Sequence, residues 1–376
     1  MERVGEGLRD RLIERIRREG PLTFAAFMEA ALYDAEDGFY ARTSAREPVG
    51  EGGHFVTSPH VSTAFGDLLA RQVAEAWDLL GRPKSFSVVE VGAGDGTLCS
   101  QVLAAVRVVP DLAEGLRYVA VEKTSGAIDH LRARGTDAVP SLADVGPVTG
   151  CVIANEVVDN LPFHRLRERR GRVVEVLVGS REGRLVEVEA EPTTEAREAL
   201  AAIREPLRPG EERPVSAEAL RLVRDIAAHL QLGYAFLFDY GFAAGETPGP
   251  VHAYRDHEAL ADVLEEPGGR DVTAAVDFAA LAREAERAGL QVWGPVSQRD
   301  ALLGLGFRVW LQGVRRRQQE GEARGDWRTA NRLFAERSKA SILVDEGKLG
   351  GLRLLVLGTK GLPAPAAALG DRDAGC

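Results

Sequence analysis

Cysteine is scarce in this sequence, and long apolar runs are missing. Only Cys99, Cys151 and Cys376 occur among 376 residues, and no two of them form a CxxC pair. This pattern excludes a disulfide framework and gives no zinc-site spacing. Cys99 and Cys151 lie in apolar runs, so we expect both to be small core residues. No apolar run approaches the length of a membrane span, so we expect no membrane association.

A basic excess is also absent. The chain has 57 acidic residues against 47 lysines and arginines, which gives a net charge of −10. That balance argues against a nucleic-acid partner, which requires a basic face, and it is compatible with a cationic substrate. The N-terminal stretch "MERVGEGLRDRLIERIRREG" has no apolar secretory core, and its acids are atypical of an organelle transit peptide. We therefore expect a cytoplasmic protein.

Short apolar runs alternate with helical patterns through the middle of the chain. Strand-length runs occur in "SFSVVEVG", "LRYVAVE", "GCVIAN" and "YAFLFDYG", and amphipathic segments separate them. Continuous apolar runs are typical of parallel strands covered on both faces. The alternation predicts an α/β fold with a doubly wound parallel sheet.

The most specific motif is "VVEVGAGDGTL", a buried strand followed by glycines and then a helix. The glycines permit a tight turn and a close ligand. Their GxGxG spacing differs from the dinucleotide GxGxxG pattern, because Thr97 stands where the third glycine is needed. Acids in the motif favour a cationic ligand without phosphate, such as S-adenosyl-L-methionine. The predicted cofactor-binding residues here are Glu90, Gly92, Ala93, Gly94, Asp95 and Gly96.

Glu122 ends the next predicted strand, "YVAVE". An acid at that position is placed to accept hydrogen bonds from both ribose hydroxyls of a nucleoside ligand. We therefore add Glu122 to the predicted cofactor site.

Together these elements resemble class I S-adenosylmethionine-dependent methyltransferases with a Rossmann-like sheet. A narrower resemblance, to the MidA-type family, is carried in order by six segments: "GPLTFAAFMEAALYDAEDGFY", "GGHFVTSPHVSTAFGDLLA", "IANEVVDNLPFHR", "FLFDYG", "AYRDHEALADVLEEPGGRDVTAAVDFAAL" and "VSQRDALLGLG". The resemblance implies a protein arginine methyltransferase, because mitochondrial members of that family methylate arginine during respiratory complex I assembly.

Three positions depart from the family pattern. His54 and His60 stand where the family has acids, and Ala275 stands where it has a histidine. These departures concern the acceptor more than the cofactor, so a small-molecule or peptide natural-product acceptor remains an alternative. A non-catalytic assembly factor with the same fold is a second alternative, against which the intact glycine loop and Glu122 argue.

The stretch "CVIANEVVDNLPFHR" turns from an apolar strand to polar residues at Asn155. Carboxyl ends of strands carry the ligands in open α/β sheets, so we predict Asn155, Glu156 and Asp159 as catalytic residues. Two acids can bind a guanidinium and draw its charge away from the attacking nitrogen. Alternatively, both acids only brace the loop, which Pro162 stiffens.

Further candidates lie outside these motifs. Thr57, Ser58 and Pro59 belong to a glycine-rich loop that is predicted to close over the cofactor. His164 and Tyr240 are predicted substrate-binding residues, although a loop histidine without a chemical role is the alternative for His164. Asp239 is a candidate brace at its strand end. His54, His60 and His257 are too widely spaced to indicate a metal site.

The predicted segments follow from these assignments. They are an N-terminal helical segment with a cofactor-covering loop (1–81), a Rossmann-like core (82–245) with a hairpin and helical insertion at about 171–215, a helical insertion (246–290), late strands that complete the sheet (291–360) and a disordered tail (361–376). The acceptor's identity and the oligomeric state are left open.

Overall fold

The computed structural model describes residues 6–43, 57–255, 258–260 and 262–370. The helices are α1 Glu6–Glu19, α2 Phe24–Tyr33, α3 Phe39–Thr43, α4 Ser58–Val61, α5 Thr63–Leu79, α6 Thr97–Ala105, α7 Pro110–Gly115, α8 Ser125–Ala133, α9 Thr194–Ile203, α10 Ala217–His229, α11 Phe278–Arg287, α12 Gln298–Gly304, α13 Phe307–Ala323, α14 Trp327–Ala340 and α15 Ala366–Leu369. Within the described part of the chain, no helix is both long enough and apolar enough to cross a lipid bilayer.

The strands of the described residues form four sheets. They are β1 Leu22–Thr23, β2 Phe86–Val91, β3 Leu116–Val121, β4 Asp137–Val139, β5 Val148–Asn155, β6 His164–Arg169, β7 Arg172–Arg181, β8 Arg184–Ala190, β9 Glu212–Val215, β10 Leu230–Asp239, β11 Gly241–Phe242, β12 His252–Arg255, β13 Glu258–Leu260, β14 Asp271–Thr273, β15 Val276–Asp277, β16 Gln291–Ser297 and β17 Arg353–Gly358.

The largest sheet has seven strands in the order β16-β17-β10-β5-β2-β3-β4. The pairs among β10, β5, β2, β3 and β4 are parallel, and β17 runs antiparallel to both of its neighbours. This sheet confirms the predicted α/β doubly wound fold. It also places the carboxyl ends of β2, β3, β5 and β10 at one edge, where the glycine loop, Glu122 and the Asn155 segment follow.

Apolar cores cover both faces of this sheet, as continuous apolar strands require. Successive residues of β5 pack into opposite cores. Ile153 packs into the core with α5 and α6, whereas Val152 packs into the core with α10 and α11. Cys99 and Cys151 are both buried free thiols in the first of these cores, which confirms their prediction as small core residues.

A second sheet is built around β7, which pairs antiparallel with β1, β6 and β8, and β6 pairs with β9. The turn at Glu182 and Gly183 joins β7 and β8 into a hairpin. Helices α1 and α2 pack near this sheet through Leu8, Phe27 and Val178. The N-terminal helices therefore share a core with the second sheet rather than forming a separate unit.

The predicted helical insertion at 246–290 is wrong for much of that range. Strands β12, β13 and β14 form an antiparallel sheet there, and among the described residues of the range only α11 is an α-helix. The segment "HEALADVLEE" has helix-forming residues, yet residues 258–260 pair with β12. Pairing with the adjacent strand β12 overrides the local helix propensity at this point. The C-terminal helices α12, α13 and α14 lie instead between β16 and β17.

The predicted disorder of the tail is also wrong for residues 361–370. Ala366 and Ala367 begin α15, and their backbone amides donate to Glu75 and Gln72 of α5. Ala367 is fully buried, because its small side chain allows this close approach. Residues 371–376 lie outside the described residues.

Candidate functional site

The glycine loop adopts a backbone that requires glycine. Gly92 and Gly94 have φ values of +69° and +55°, in the left-handed region that disfavours side chains. A Cβ atom on Gly92 would lie 2.2 Å from Cγ2 of Val157, so this glycine lets the loop touch the segment after β5. A Cβ atom on Gly94 would meet no atom within 4 Å, which leaves room for a ligand beside the loop.

Both carboxylate oxygens of Asp95 contact other residues of the protein. Its Oδ1 accepts a hydrogen bond from the Thr97 amide at 2.9 Å, and its Oδ2 lies 2.9 Å from Thr97 Oγ1 and 3.3 Å from His60 Nε2. Burial opposes ionisation, but the hydrogen bonds of His60 and Thr97 outweigh it and lower the pKa of Asp95 to about 2. The carboxylate thus braces the start of α6, while its negative charge remains beside the loop.

Glu90 lies in the core beneath the loop. Its Oε2 accepts a hydrogen bond from the Tyr118 hydroxyl at 2.8 Å, and its side chain is almost fully buried. Burial raises the pKa of Glu90 to about 8, against the opposing effect of Tyr118. Glu90 thus supports the loop from the core in this structure, and its direct contact with cofactor stays a prediction.

Glu122 meets the glycine loop from the end of β3. Its Oε1 accepts a hydrogen bond from the Gly94 amide at 2.6 Å, and its Oε2 accepts one from the Lys123 amide at 3.1 Å. Burial raises the pKa of Glu122, and both backbone amides oppose that shift. Each carboxylate oxygen retains acceptor capacity for a ligand hydroxyl, because a carboxylate accepts about four hydrogen bonds.

We expect Glu122→Ala to weaken binding of the demethylated donor, S-adenosyl-homocysteine, by about 1–3 kcal/mol. The substitution leaves buried hydroxyls without their acceptor and frees the Gly94 amide. Calorimetry measures the affinity directly. Asp137→Ala is the control, because Asp137 is an exposed acid of the neighbouring strand that pairs with Arg117. Equal affinity in wild-type and Glu122→Ala proteins would show that Glu122 does not hold the ribose.

The α4 segment links the glycine loop to the end of β5. The Ser58 amide donates to Glu156 Oε1 at 2.9 Å, and the Pro59 carbonyl accepts from Gln101 of α6 at 2.8 Å. Thr57 Oγ1 lies 2.7 Å from Nδ1 of His60, whose other nitrogen faces Asp95. The preceding residues 44–56, including His54, lie outside the described residues, as does His257.

Asn155 and Glu156 form the tip of β5. Glu156 has a φ of +53°, which is unusual for a residue with a side chain, and its amide donates to the Phe238 carbonyl at 2.8 Å. Asn155 Nδ2 donates to Glu156 Oε1 at 3.2 Å. Among the described residues, the buried Oδ1 of Asn155 has no hydrogen-bond partner. An unsatisfied acceptor at a strand tip is a candidate ligand contact.

Three acids, Asp159, Asp239 and Asp271, lie near one another behind this tip. Asp159 Oδ2 accepts from Thr273 Oγ1 at 2.7 Å, and Asp239 Oδ2 accepts from the Val158 amide at 2.8 Å as well as from the amides on either side of it. Asp271 accepts from Asn160 at 3.0 Å and from Tyr40 at 3.2 Å. Asp239 thus braces the end of its strand, as the sequence analysis suggested. The sequence analysis did not identify Asp271 and Thr273 as part of this cluster.

Burial keeps protons on these acids to unusually high pH. It raises the pKa of Glu156 to about 7, with Asp159 adding to the shift and the Ser58 amide opposing it. It raises the pKa of Asp159 to about 6, against the hydrogen bond from Thr273. Carboxyl groups poised near neutral pH are typical of functional sites. In the described part of the chain, no His, Cys, Asp and Glu cluster has an arrangement that could hold a metal ion.

The two predicted substrate-binding residues differ in their placement. Tyr240 follows the end of β10, is 46% exposed, and lies at the same sheet edge as Asn155. His164 is buried at the start of β6, with Nδ1 2.6 Å from Glu175 Oε1 and Nε2 3.6 Å from Glu195. These contacts tie His164 to the second sheet and to α9, so the structure does not support its predicted contact with substrate.

The loop and strand tip fit S-adenosylmethionine. Open space beside Gly94, acceptor oxygens on Glu122 and the free Oδ1 of Asn155 suit its hydroxyls and its amino group. The charge of Asp95 suits its positive charge. The strand-tip acids lie one strand away from the loop, because β2 and β5 are neighbours.

Residues 68–296 match a family described as "Putative S-adenosyl-L-methionine-dependent methyltransferase". The chain is 32% identical to the mitochondrial protein arginine methyltransferase NDUFAF7 homolog of Drosophila melanogaster, over 83% of this chain and 76% of that protein. It is 27% identical to human mitochondrial protein arginine methyltransferase NDUFAF7, over 80% and 74% respectively. A Burkholderia thailandensis crystal structure with bound S-adenosyl-homocysteine superposes with a TM-score of 0.81 at 26% identity, covering 98% of this chain and 96% of that one.

These matches confirm the predicted MidA-type resemblance and S-adenosyl-L-methionine as the cofactor. They contradict the expectation of a cytoplasmic protein, because the curated relatives are named as mitochondrial. Sequence composition misled that expectation: acids in the first residues are atypical of a transit peptide, but such a feature does not determine location.

Proposed function

Since the chain belongs to the family of S-adenosyl-L-methionine-dependent methyltransferases, we propose that it methylates the guanidinium group of an arginine in a protein. The observation that carries this proposal is the pair of strand-tip acids, Glu156 and Asp159, one strand from the glycine loop. The names of the curated relatives, protein arginine methyltransferases, support the same acceptor.

The donor, when bound, supplies an electrophilic methyl group. We assign its binding to the glycine loop, to Glu122 on the ribose and to the free Oδ1 of Asn155. The α4 segment, through Ser58 and His60, covers the donor and keeps water from the reacting atoms. This cover is the part of the N-terminal segment that the sequence predicted to close over the cofactor.

In this proposal Glu156 and Asp159 bind the acceptor. Arginine is protonated at neutral pH and is therefore a poor nucleophile. Two carboxylates on one guanidinium hold its positive charge on the nitrogens that they contact, so that the remaining nitrogen has more electron density. As that nitrogen bonds to the methyl carbon, the bond from the carbon to sulfur would break, S-adenosyl-homocysteine would leave, and the nitrogen would lose one proton. Asp239 fixes the loop between the two acids by accepting three backbone amides. Positioning supplies the rest of the rate enhancement.

We expect the reaction to slow as the pH falls through 7 and then 6. The pKa of Glu156 is raised to about 7 and that of Asp159 to about 6, so each acid is charged only above its own value. Only the charged forms bind an arginine, and kcat/KM should therefore fall about tenfold per pH unit between about pH 7 and 6, and more steeply below about pH 6, where both acids become protonated. A pH–rate profile at saturating donor measures this. A flat profile between about pH 5.5 and 7.5, with unchanged donor affinity, would contradict the role of these acids.

Mass spectrometry of a lysate incubated with the protein and a heavy-methyl donor tests the proposed acceptor. The proposal predicts label on arginine side chains of one or a few proteins. Label confined to the small-molecule fraction, or on lysine or a carboxyl group, would reject an arginine acceptor. A reaction with Glu122→Ala protein at limiting donor is the control, because it retains the acceptor site but should label more slowly.

A further inference from the structure

A buried glutamine from the C-terminal helices reaches the N-terminal α4 segment. Gln298 is the first residue of α12 and is fully buried. Its backbone amide donates to the Leu352 carbonyl at 2.6 Å, and Nε2 donates to the Leu343 carbonyl at 3.2 Å. Its Oε1 accepts from Ser58 Oγ at 3.1 Å, across 240 residues of sequence. A buried amide is costly without partners, and both ends of this one are satisfied.

Ser58 transmits this contact to the strand tip. Its side chain is fully buried, and Oγ bonds to Gln298 while the backbone amide of the same residue bonds to Glu156 Oε1. Because Ser58 donates both hydrogen bonds, the orientation of its backbone amide depends on where its side chain is fixed. Leu343 and Leu352, whose carbonyls accept the hydrogen bonds of Gln298, are fully buried in the same core as α5 and α6.

We propose that Gln298 is a positioning residue for Glu156, which it holds in place through Ser58. The proposal rests on the role of Glu156 proposed above and adds the element that fixes its carboxylate. The C-terminal helices thereby contribute to the acceptor site, although the described residues between α12 and β17 supply none of the acids of the strand tip.

The charged and polar groups around Glu156 indicate that its pKa should change when the contact between Gln298 and Ser58 is lost. Burial raises the pKa of Glu156, Asp159 adds to the rise by repulsion, and Asp239 also lies close enough to interact with Glu156. The Ser58 amide, Asn155 and His60 act in the opposite direction and favour the charged form. Loosening Ser58 removes one of the groups that stabilise the carboxylate, so the pKa of Glu156 should rise further.

The test is a titration of the Glu156 side-chain carboxyl carbon by NMR in protein labelled with ¹³C-glutamate and saturated with S-adenosyl-homocysteine. The spectrum of Glu156→Gln protein assigns the signal. We expect Gln298→Leu to raise the titration midpoint by about half a pH unit to one unit. Ser58→Ala should cause a similar rise, and the double variant should exceed neither single variant by much, because both remove the same contact.

Gln72→Leu is the matched control. Gln72 is also fully buried, and its side chain bonds to Glu75 and to the Ala367 amide, away from the strand tip. The inference predicts that this variant loses stability but leaves the Glu156 midpoint unchanged. An equal shift in Gln72→Leu would mean that any core lesion perturbs Glu156, and would overturn the assignment of Gln298.

An unchanged midpoint in Gln298→Leu would also overturn it. If Gln298→Leu protein fails to fold, Ser58→Ala decides, because it deletes one hydroxyl and keeps the backbone amide; an unmoved midpoint then rejects the inference. The titration requires no methyl acceptor. Failure of the arginine proposal therefore leaves this result interpretable, and a shifted midpoint without arginine methylation would separate the two.

Discussion

Gly92→Ala is expected to weaken binding of S-adenosyl-homocysteine at least about tenfold. A left-handed backbone costs alanine about 1–2 kcal/mol, and the φ of +69° lies in that region. The added methyl would also lie 2.2 Å from Val157 Cγ2, so either the glycine loop or the strand tip must move. Each 1.4 kcal/mol lost from the binding energy corresponds to a factor of about ten in affinity. Calorimetry on the purified variant measures the change.

Two further variants identify the cause. Gly20→Ala carries similar backbone strain at the end of α1, where a Cβ atom meets nothing within 4 Å, and it should leave donor affinity unchanged. Adding Val157→Ala to Gly92→Ala removes the clashing methyls and should restore part of the lost affinity. Wild-type affinity in Gly92→Ala, or no recovery in the double variant, would show that the loop and strand tip are not packed as described.

Glu156→Gln is expected to reduce turnover by a factor of about 30–150 while preserving donor binding. Glutamine keeps the oxygen that accepts from the Ser58 amide but loses the charge that an arginine acceptor requires. Loss of a charge-assisted contact made chiefly in the transition state costs at least about 2–3 kcal/mol. Single-turnover rates at saturating donor, with the acceptor found by mass spectrometry, measure this effect.

Asp159→Asn should be milder, because Thr273 already occupies one of its carboxylate oxygens. Asp277→Asn is the control for removal of a partly buried acid, since Asp277 caps α11 through Ala280 and asparagine caps helices equally well. A wild-type rate in Glu156→Gln would mean that the acids only brace the loop, as the alternative interpretation of the sequence holds.

The central sheet and the glycine loop could be predicted because their signals are local. Apolar runs of strand length mark β2, β3, β5 and β10, and Gly92 and Gly94 mark a turn that side chains disfavour. The end of an apolar run predicts the end of its strand, so Asn155 and Glu156 could be located at the tip of β5 from the sequence. Strand β13 was missed because it lies in "HEALADVLEE", whose residues favour a helix, whereas in the structure residues 258–260 pair with β12.

The supporting contacts of the site could not be predicted, because they join distant parts of the chain. Asp159 meets Thr273 across 114 residues, and Ser58 meets Gln298 across 240. The hydrophobic periodicity of a sequence does not indicate contacts between such distant residues. His164 is close to the predicted acids in sequence, yet it bonds to Glu175 of the neighbouring strand β7 in the second sheet, so its contact with substrate stays a prediction.

We expect Glu156 and Asp159 to recognise the positive charge of an arginine acceptor. The most direct measurement compares binding of two peptides, one with the arginine that mass spectrometry finds labelled and one with citrulline, which is neutral and of nearly the same shape, in its place. Wild-type protein saturated with S-adenosyl-homocysteine should bind the arginine peptide at least about tenfold more tightly, corresponding to about 1.4 kcal/mol. This preference should largely disappear in Glu156→Gln protein. Equal affinity of wild-type protein for the two peptides would mean that Glu156 and Asp159 do not recognise this charge.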